Sequence, residues 1–392
     1  MTKTTRLKIA YLCDMDPRLA WTYSGGNKRI HDTLQEHVGD VDILSNDWAE
    51  LEPLRRLIHK LPEAINLRAR WRLHLLLSRV IARSVHKQLK ARKYDVLFCP
   101  YSFQSLAQIK PPYPLVTVFT SDATQTSYRT AETGAAFGSY FKLSRLMDPW
   151  ILKQEKTILS SVDMNFWPSD WQKSNADACY DLPVEKSIVT PWGANIPRPD
   201  ATTLYPDLPF DDGVRLLLVG RDWWAKGGPL TLDVLRNLRG QGINARLGVV
   251  GCTPPASDMD DYIDIHPNLD KTVPRDLTTL QDLFRRSHFL VQPSIESYGF
   301  AFCEASAFGL PSLCLRLGGV PVWDEVNGIA LPSGAAAADF SDVITTYMQT
   351  PARYQKLRAS SRQCYEDRLN WPAWAAEIQG HLLRLKAGKT HD

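Results

Sequence analysis

What this chain lacks narrows its function first. None of its seven cysteines forms a CxxC pair or a Cys/His metal spacing. Cys13, Cys99, Cys303 and Cys314 lie in apolar runs, where a thiol packs as a small hydrophobe, so a reduced, cytoplasmic chain fits better than a disulfide framework. No apolar run approaches the roughly 20 residues that cross a bilayer. The opening MTKTTRLKIAYLC has too short an apolar stretch and no small-residue cleavage site, so no secretory leader is expected. Neither a Walker sequence nor a GxGxxG is present, which removes the main support for P-loop and dinucleotide-cofactor readings. Net charge is only +3 over 392 residues, so nothing global points to nucleic acid.

That small net charge hides an asymmetry. Between Leu54 and Lys93, 12 Lys and Arg stand against one acid, Glu63, a local +11 that leaves −8 for the rest. From Arg68 to Lys90 the pattern is helical. Arg72, Arg79, Arg83, His86, Lys87 and Lys90 fall on one face, and Leu73, Leu77, Val80, Ile81 and Val85 on the other. A domain helix with a solvated cationic face explains the apolar side but not the one-sided charge. An anionic membrane surface, each cation contributing about 1 kcal/mol, accounts for the charge and is the expected partner of residues 54–93. A nucleic-acid stripe would need more aromatic interleaving than Trp71 offers.

Short β-rich runs alternate with helical patterns along the chain. LKIAYLC, VDIL, YDVLFCP, PLVTVFT, DMNFWPS and SIVTPWG read as strands of a first half. Residues 196–213 break the pattern with four prolines and read as a linker. Alternation resumes with VRLLLVG, ARLGVVG, HFLVQPS and PSLCLRL. The expected fold is α/β: two doubly wound, Rossmann-like domains facing across a cleft. The boundaries are 1–195, 214–370 and a terminal helix 371–392 returning toward the first domain.

Ligands of such sheets bind outside the carboxyl ends of the strands. In GRDWWAKGGPLTLDVLRNLRG, Pro229 suits the first turn of a helix and Gly240 its stop. Arg221, Lys226 and the bare amides of Gly227 and Gly228 therefore describe an anion site, most plausibly for a diphosphate, unless both cations are simple surface residues. SGGNK near the N-terminus offers a second glycine-rich loop, without P-loop spacing.

The stretch SIESYGFAFCEASAFGLP carries two glutamates, Glu296 and Glu304, in small and apolar company. An ionised carboxylate there costs several kcal/mol unless something pairs with it. Glu304 falls within a short helix from Gly299 to Phe308. It is either tied by protein hydrogen bonds or free to accept two from a vicinal diol such as a ribose. Glu296, on the loop leaving a strand, can meet a sugar hydroxyl.

ESYGFAFCEASAFGLP resembles the E-x7-E signature of glycosyltransferase family 4, retaining enzymes of the GT-B fold. The resemblance extends through LLLVGRDWWAKGG, GLPSLCLRLGGVPVW…NGIALP and LNWPAWAAEIQGHLLRL, covering 151–385 well and 1–150 loosely. It implies that Glu304 binds the donor ribose, Glu296 the transferred sugar, and Arg221 and Lys226 the diphosphate. Gly318, Gly319 and Val320 would lie near phosphate and sugar, and Ile265 would border the base. Gly25 and Gly26 match the N-terminal glycine-rich loop. Gly220, Tyr298, Gly299 and Phe300 count with the donor site by the same likeness.

The implied reaction moves a hexose from a nucleotide-diphosphate sugar, a UDP- or GDP-sugar first, to a glycan or lipid-linked hydroxyl. It needs no cofactor and no metal. Polysaccharide or glycolipid synthesis, cytoplasmic or peripheral on the inner face of the cytoplasmic membrane, is the expected setting. One departure stands out: where many members carry a histidine, FTSDATQTSY offers Asp122 or Ser121. Asp122 is then a catalytic candidate or a turn cap. DMD at 14–16 and DMDD at 258–261 look like metal-binding acids of the other transferase fold, but surface acids suit their context better. A non-hydrolysing sugar-nucleotide epimerase and a non-catalytic sugar-nucleotide or glycan-binding protein are the alternative functions. The sugar, base, acceptor and linkage stay open.

Overall fold

The structure, a computed structural model, describes residues 6–19, 21–58, 60–61, 63–130, 146–199 and 208–389, without the side chains of 63–69 and 130. The chain divides into two compact units, Met1–Pro191 with Trp374–Asp392, and Trp192–Ala373. The linker reading over 196–213 falls in part, at 200–207, outside the described residues.

The first unit holds a parallel sheet of β1 (Leu7–Tyr11), β2 (Gly39–Ile43), β3 (Val96–Pro100), β4 (Val116–Thr120), β5 (Met164–Trp167) and β6 (Ser187–Val189). Its order is β2-β1-β3-β4-β5-β6. The interior strand β3, VLFCP, reads as an unbroken apolar run because helices cover both faces, and all five of its residues are buried. The edge strand β2 instead exposes Asp40, which pairs with Arg6, a charged edge of the kind that discourages further strand pairing. The helix Trp371–Lys389 completes this unit from Trp374 onward. Trp374 packs edge-on against Phe98 at 6.2 Å. Lys386 reaches Asp95 at 2.7 Å, and Lys389 reaches Asp163 at 2.8 Å.

The second unit holds β7 (Val214–Val219), β8 (Ala245–Val250), β9 (Ile263–His266), β10 (Phe289–Val291), β11 (Ser312–Leu315) and β12 (Gly328–Leu331). The order β12-β11-β10-β7-β8-β9 is again all parallel. Both sheets are doubly wound, as expected. In each, chain order reverses beside the first strand, between β1 and β3 and between β7 and β10. Ligand sites of open α/β sheets form at such points.

The basic segment differs from expectation. One helix was expected from Arg68 to Lys90; there are two, Glu63–Leu76 and Ser78–Ala91. Leu77, at φ −85° and ψ 5°, lies between them. Its amide still donates to Leu73 and its carbonyl still accepts from Ile81. The hydrogen-bond ladder therefore carries the periodicity across the break.

Candidate active site

At the carboxyl end of β7 the chain enters Gly220 and Arg221; at the end of β10 it enters Gln292 to Glu296. Between them stands the helix Gly228–Gly240, with Pro229 in its first turn and Gly227 as its N-cap. Gly227 has φ +74°, and a Cβ there would lie 2.6 Å from the Pro293 carbonyl oxygen, so only glycine lets this helix start so close to the β10 loop. Lys226 folds back across Gly220, where a Cβ would come within 2.3 Å of the lysine Cγ.

The lysine ammonium donates to Glu296 Oε1. The same oxygen accepts from Ser294 Oγ at 2.8 Å and Gln292 Nε2 at 3.2 Å. The Glu296 backbone carbonyl accepts from the Gly319 amide at 2.8 Å, and Glu296 bridges Gly318. Lys226, Glu296, Gly318, Gly319 and Gly220 are thus brought together. Arg221, next in the chain, is exposed, and its side chain forms no ion pair among the described residues.

Glu304 sits inside the helix Phe300–Ala307 with its side chain only 2% exposed. Lys271, on the loop after β9, donates to its Oε1. Sequence reasoning missed this lysine, since nothing local marks a partner 33 positions away.

Tyr298 and Phe300 are placed as framework. The Tyr298 hydroxyl donates to the Trp192 carbonyl at 2.6 Å, and Phe300 stacks on the Trp192 ring at 5.9 Å. Gly299 caps the Glu304 helix at φ +89°. Ile265 lies half-buried on β9, and Val320 is half-buried after Gly319.

Gly25, Gly26 and Asp122 belong to the first unit. Gly25 caps the helix Gly26–Thr33. Asp122 is half-buried just past β4. The following turn is held by buried Glu155, which accepts from the Gln125 amide at 2.9 Å, from Thr126 Oγ1, and from the Tyr180 hydroxyl at 2.9 Å. Burial pushes the Glu155 carboxyl up to about 7.

At the carboxyl ends of β1 and β3 lies a cluster the sequence did not announce. Asp14 is buried against Arg70 at 3.1 Å and accepts from the Tyr23 hydroxyl at 2.8 Å. Burial raises its carboxyl, but the Arg70 guanidinium and the Tyr23 hydroxyl outweigh that and leave it below the usual carboxylate range. Trp48 Nε1 donates to His74 Nδ1 at 3.0 Å, which places the imidazole proton on Nε2, 2.9 Å from Ser105 Oγ. Burial drops the imidazole to about 3, so it is neutral. Tyr23 stacks on Tyr101 at 4.0 Å, and both hold positive φ, 51° and 60°. Such backbone strain gathers at functional sites.

Four of the five DMD and DMDD acids have basic or hydroxyl partners: Asp14 with Arg70, Asp16 with Arg18, Asp258 with Ser257 and Asp260 with Arg236. Of the basic block, Arg70 and Arg55 turn inward, the latter donating to the Asp14 carbonyl. Arg79, Arg83, Lys87 and Lys90 are exposed.

Two parallel-sheet, Rossmann-like domains define this as the GT-B fold. Residues 213–350, spanning the Lys226 and Glu296 loops, match the family model described as Glycosyl transferases group 1. The chain is 30% identical over 153 residues to D-inositol 3-phosphate glycosyltransferase of Arthrobacter sp. (strain FB24), 35% of each chain. It thus spans about a third of the length of the curated relatives it matches. Over 97% of its length it is similar to all of the sucrose-phosphate synthase of Thermosynechococcus elongatus, at TM-score 0.66 and 18% identity. Anabaena Alr3699/HepE, solved with UDP and glucose, gives TM-score 0.60 and 12% identity, covering 96% of this chain and 100% of that one.

Proposed function

We propose that this chain is a retaining, metal-independent glycosyltransferase that moves a hexose from a UDP- or GDP-sugar to a hydroxyl acceptor. The observation that carries the reading is the meeting of Lys226, Glu296 and the Gly318–Gly319 backbone at the β7/β10 switch. Breaking the glycosyl–phosphate bond builds positive charge on the sugar and negative charge on the departing diphosphate. Lys226 and the helix amides after Gly227 supply fixed positive potential for that diphosphate, and the exposed Arg221 side chain closes on it. Glu296 takes a hydroxyl of the transferred sugar, and Glu304 the ribose diol. The acceptor oxygen attacks from the leaving-group side and its proton passes to the donor phosphate, so no glutamate need form a covalent intermediate. Asp122 is assigned to the sugar's surroundings. The Anabaena complexes with UDP favour uridine as the first donor base to try.

Thermal unfolding against UDP, GDP, ADP and dTDP, with and without magnesium, tests this. A ligand at 100 times its Kd adds about 2.7 kcal/mol, enough to raise Tm by several degrees. One nucleotide is expected to give that shift equally with and without magnesium. No shift with any of the four would sink the donor assignment.

A lipid-linked acceptor at an anionic membrane is the second part of the proposal. No helix among the described residues is long and apolar enough to cross a membrane. Leu51, Leu54, Leu57 and Leu61 are each at least 40% exposed, and exposed Arg56 and Lys60 lie among them. With Arg79, Arg83, Lys87 and Lys90 they offer apolar and cationic groups to a headgroup layer. Sedimentation with phosphatidylglycerol-containing vesicles is expected and should fall away at high salt. Equal sedimentation with neutral vesicles would remove the electrostatic argument.

A further inference from the structure

Lys271 occupies a poor place for a cation. It lies just before the helix Pro274–Arg286, whose N-terminal dipole end is positive. The turn around it is nonetheless well built. Asp270 Oδ1 accepts from the Thr272 amide at 2.8 Å and from its hydroxyl at 2.7 Å, and the Asp270 amide donates to Asp276 at 3.1 Å. This holds the residue between them in one backbone conformation. Its ammonium, on a side chain 38% exposed, reaches a carboxylate that is 2% exposed. Among the described residues it is the one side chain that hydrogen-bonds Glu304.

A buried carboxylate without a counter-charge is expensive, and neutral ribose hydroxyls cannot supply one. A carboxylate with a cation on Oε1 keeps Oε2 as a strong acceptor. We infer that Lys271 is the positioning residue for ribose recognition: by pairing with Glu304 Oε1 it holds that carboxylate as a fixed acceptor that selects ribonucleotide over deoxyribonucleotide donors. The inference rests on the reading of Glu304 as the diol ligand.

Binding of UDP, GDP and ADP and of their 2′-deoxy counterparts is measured by calorimetry on wild type, Lys271→Met, Lys271→Arg, Glu304→Gln and the Lys271→Met/Glu304→Gln double variant. Wild type is expected to favour one ribonucleotide over its deoxy form by about 10-fold or more. Lys271→Met is expected to weaken the ribonucleotide by about 10- to 100-fold, in the range of charged hydrogen bonds. The deoxy form should change far less, so discrimination collapses. Lys271→Arg is expected to restore it within about threefold. In the Glu304→Gln background the lysine change should add nothing, because its effect passes through the carboxylate.

Tighter ribonucleotide binding in Lys271→Met would overturn the inference, since the lysine would then be a competitor for the carboxylate. So would undiminished discrimination in that variant, or a loss that Lys271→Arg fails to recover. Wild type that binds none of the six nucleotides overturns the donor-site reading itself. Wild type that binds without discriminating overturns only the ribose role.

Discussion

Lys226→Met is expected to lower kcat by about 10²- to 10³-fold while changing the nucleotide Kd by less than about tenfold. The ammonium and Glu296 face each other with side chains 25% and 14% exposed, a partly desolvated pair in which each holds the other in place. In the proposed reaction a substrate diphosphate would draw the lysine more strongly as the glycosyl bond lengthens, because negative charge then concentrates on the leaving oxygen. Interactions that grow toward the transition state appear in kcat, and those already complete in the ground state appear in Kd. The variant also leaves Glu296 with Ser294 and Gln292 as its side-chain donors among the described residues. Its orientation toward the sugar should therefore loosen as well. Arg221→Ala is expected to follow the same direction with a smaller effect, since that side chain starts exposed and must be ordered by the ligand. Steady-state kinetics with calorimetric Kd values separate the two quantities. A tenfold or greater loss in Kd with kcat intact would make Lys226 a ground-state anchor and nothing more.

Why could Lys226 and Glu296 be found in the sequence, and Lys271 and Arg70 not? Glu296 follows the apolar run that became β10, and Lys226 stands between the run that became β7 and the helix start marked by Pro229, so strand and helix readings together placed both near carboxyl ends. Gly227, at φ +74°, marks where backbone approaches the Pro293 carbonyl, and Gly299, at φ +89°, caps the helix that carries Glu304. Lys271 stands in a polar loop after β9, a strand not anticipated because IDIH is short and half-exposed at the sheet edge. Its partner lies on another element, and no periodicity reports such a contact. β12 escaped notice for a related reason: four residues, GIAL, at the opposite edge carry too little pattern to separate strand from loop. Counting charge over residues 54–93 treated every cation as outward-facing. The helical wheel could not know that Asp14, 56 positions earlier, needs Arg70. Tyr298 and Phe300 illustrate the opposite case. Their position in a motif suggested ligand contact, and their rings prove to pack on Trp192, with Phe300 half-buried.

Arg70→Met is expected to destabilise the first unit by about 3–5 kcal/mol, the cost of leaving a buried charge without its partner. For a unit of this size that lowers Tm by roughly 10 °C. The side chains of Arg70 and Asp14 are 4% and 0% exposed, so water can replace neither. The pH dependence gives the argument its sign. With Arg70 present the Asp14 carboxyl lies below the usual range, so its stabilisation is full above the unfolded carboxylate value near 4 and is lost only as pH falls through the folded value. In the variant the burial penalty is no longer opposed by that guanidinium, and uptake of a proton by Asp14 relieves it. The gap between wild type and variant should therefore be widest at neutral pH and narrow toward pH 3. Asp14→Asn combined with Arg70→Met should recover most of the loss, since neither charge remains. Arg79→Met removes the same formal charge from the same basic block, but from an exposed position, and should shift stability by no more than about 0.5 kcal/mol. Thermal melts of wild type and the three variants between pH 3 and 7 would show whether the block is one charged surface or two functions interleaved. If Arg70→Met and Arg79→Met melt alike at neutral pH, the buried pair contributes nothing and the whole segment is a surface. If they part by several degrees and converge in acid, Arg70 belongs to the interior of the first unit, and only the outward-facing cations are left to meet a membrane.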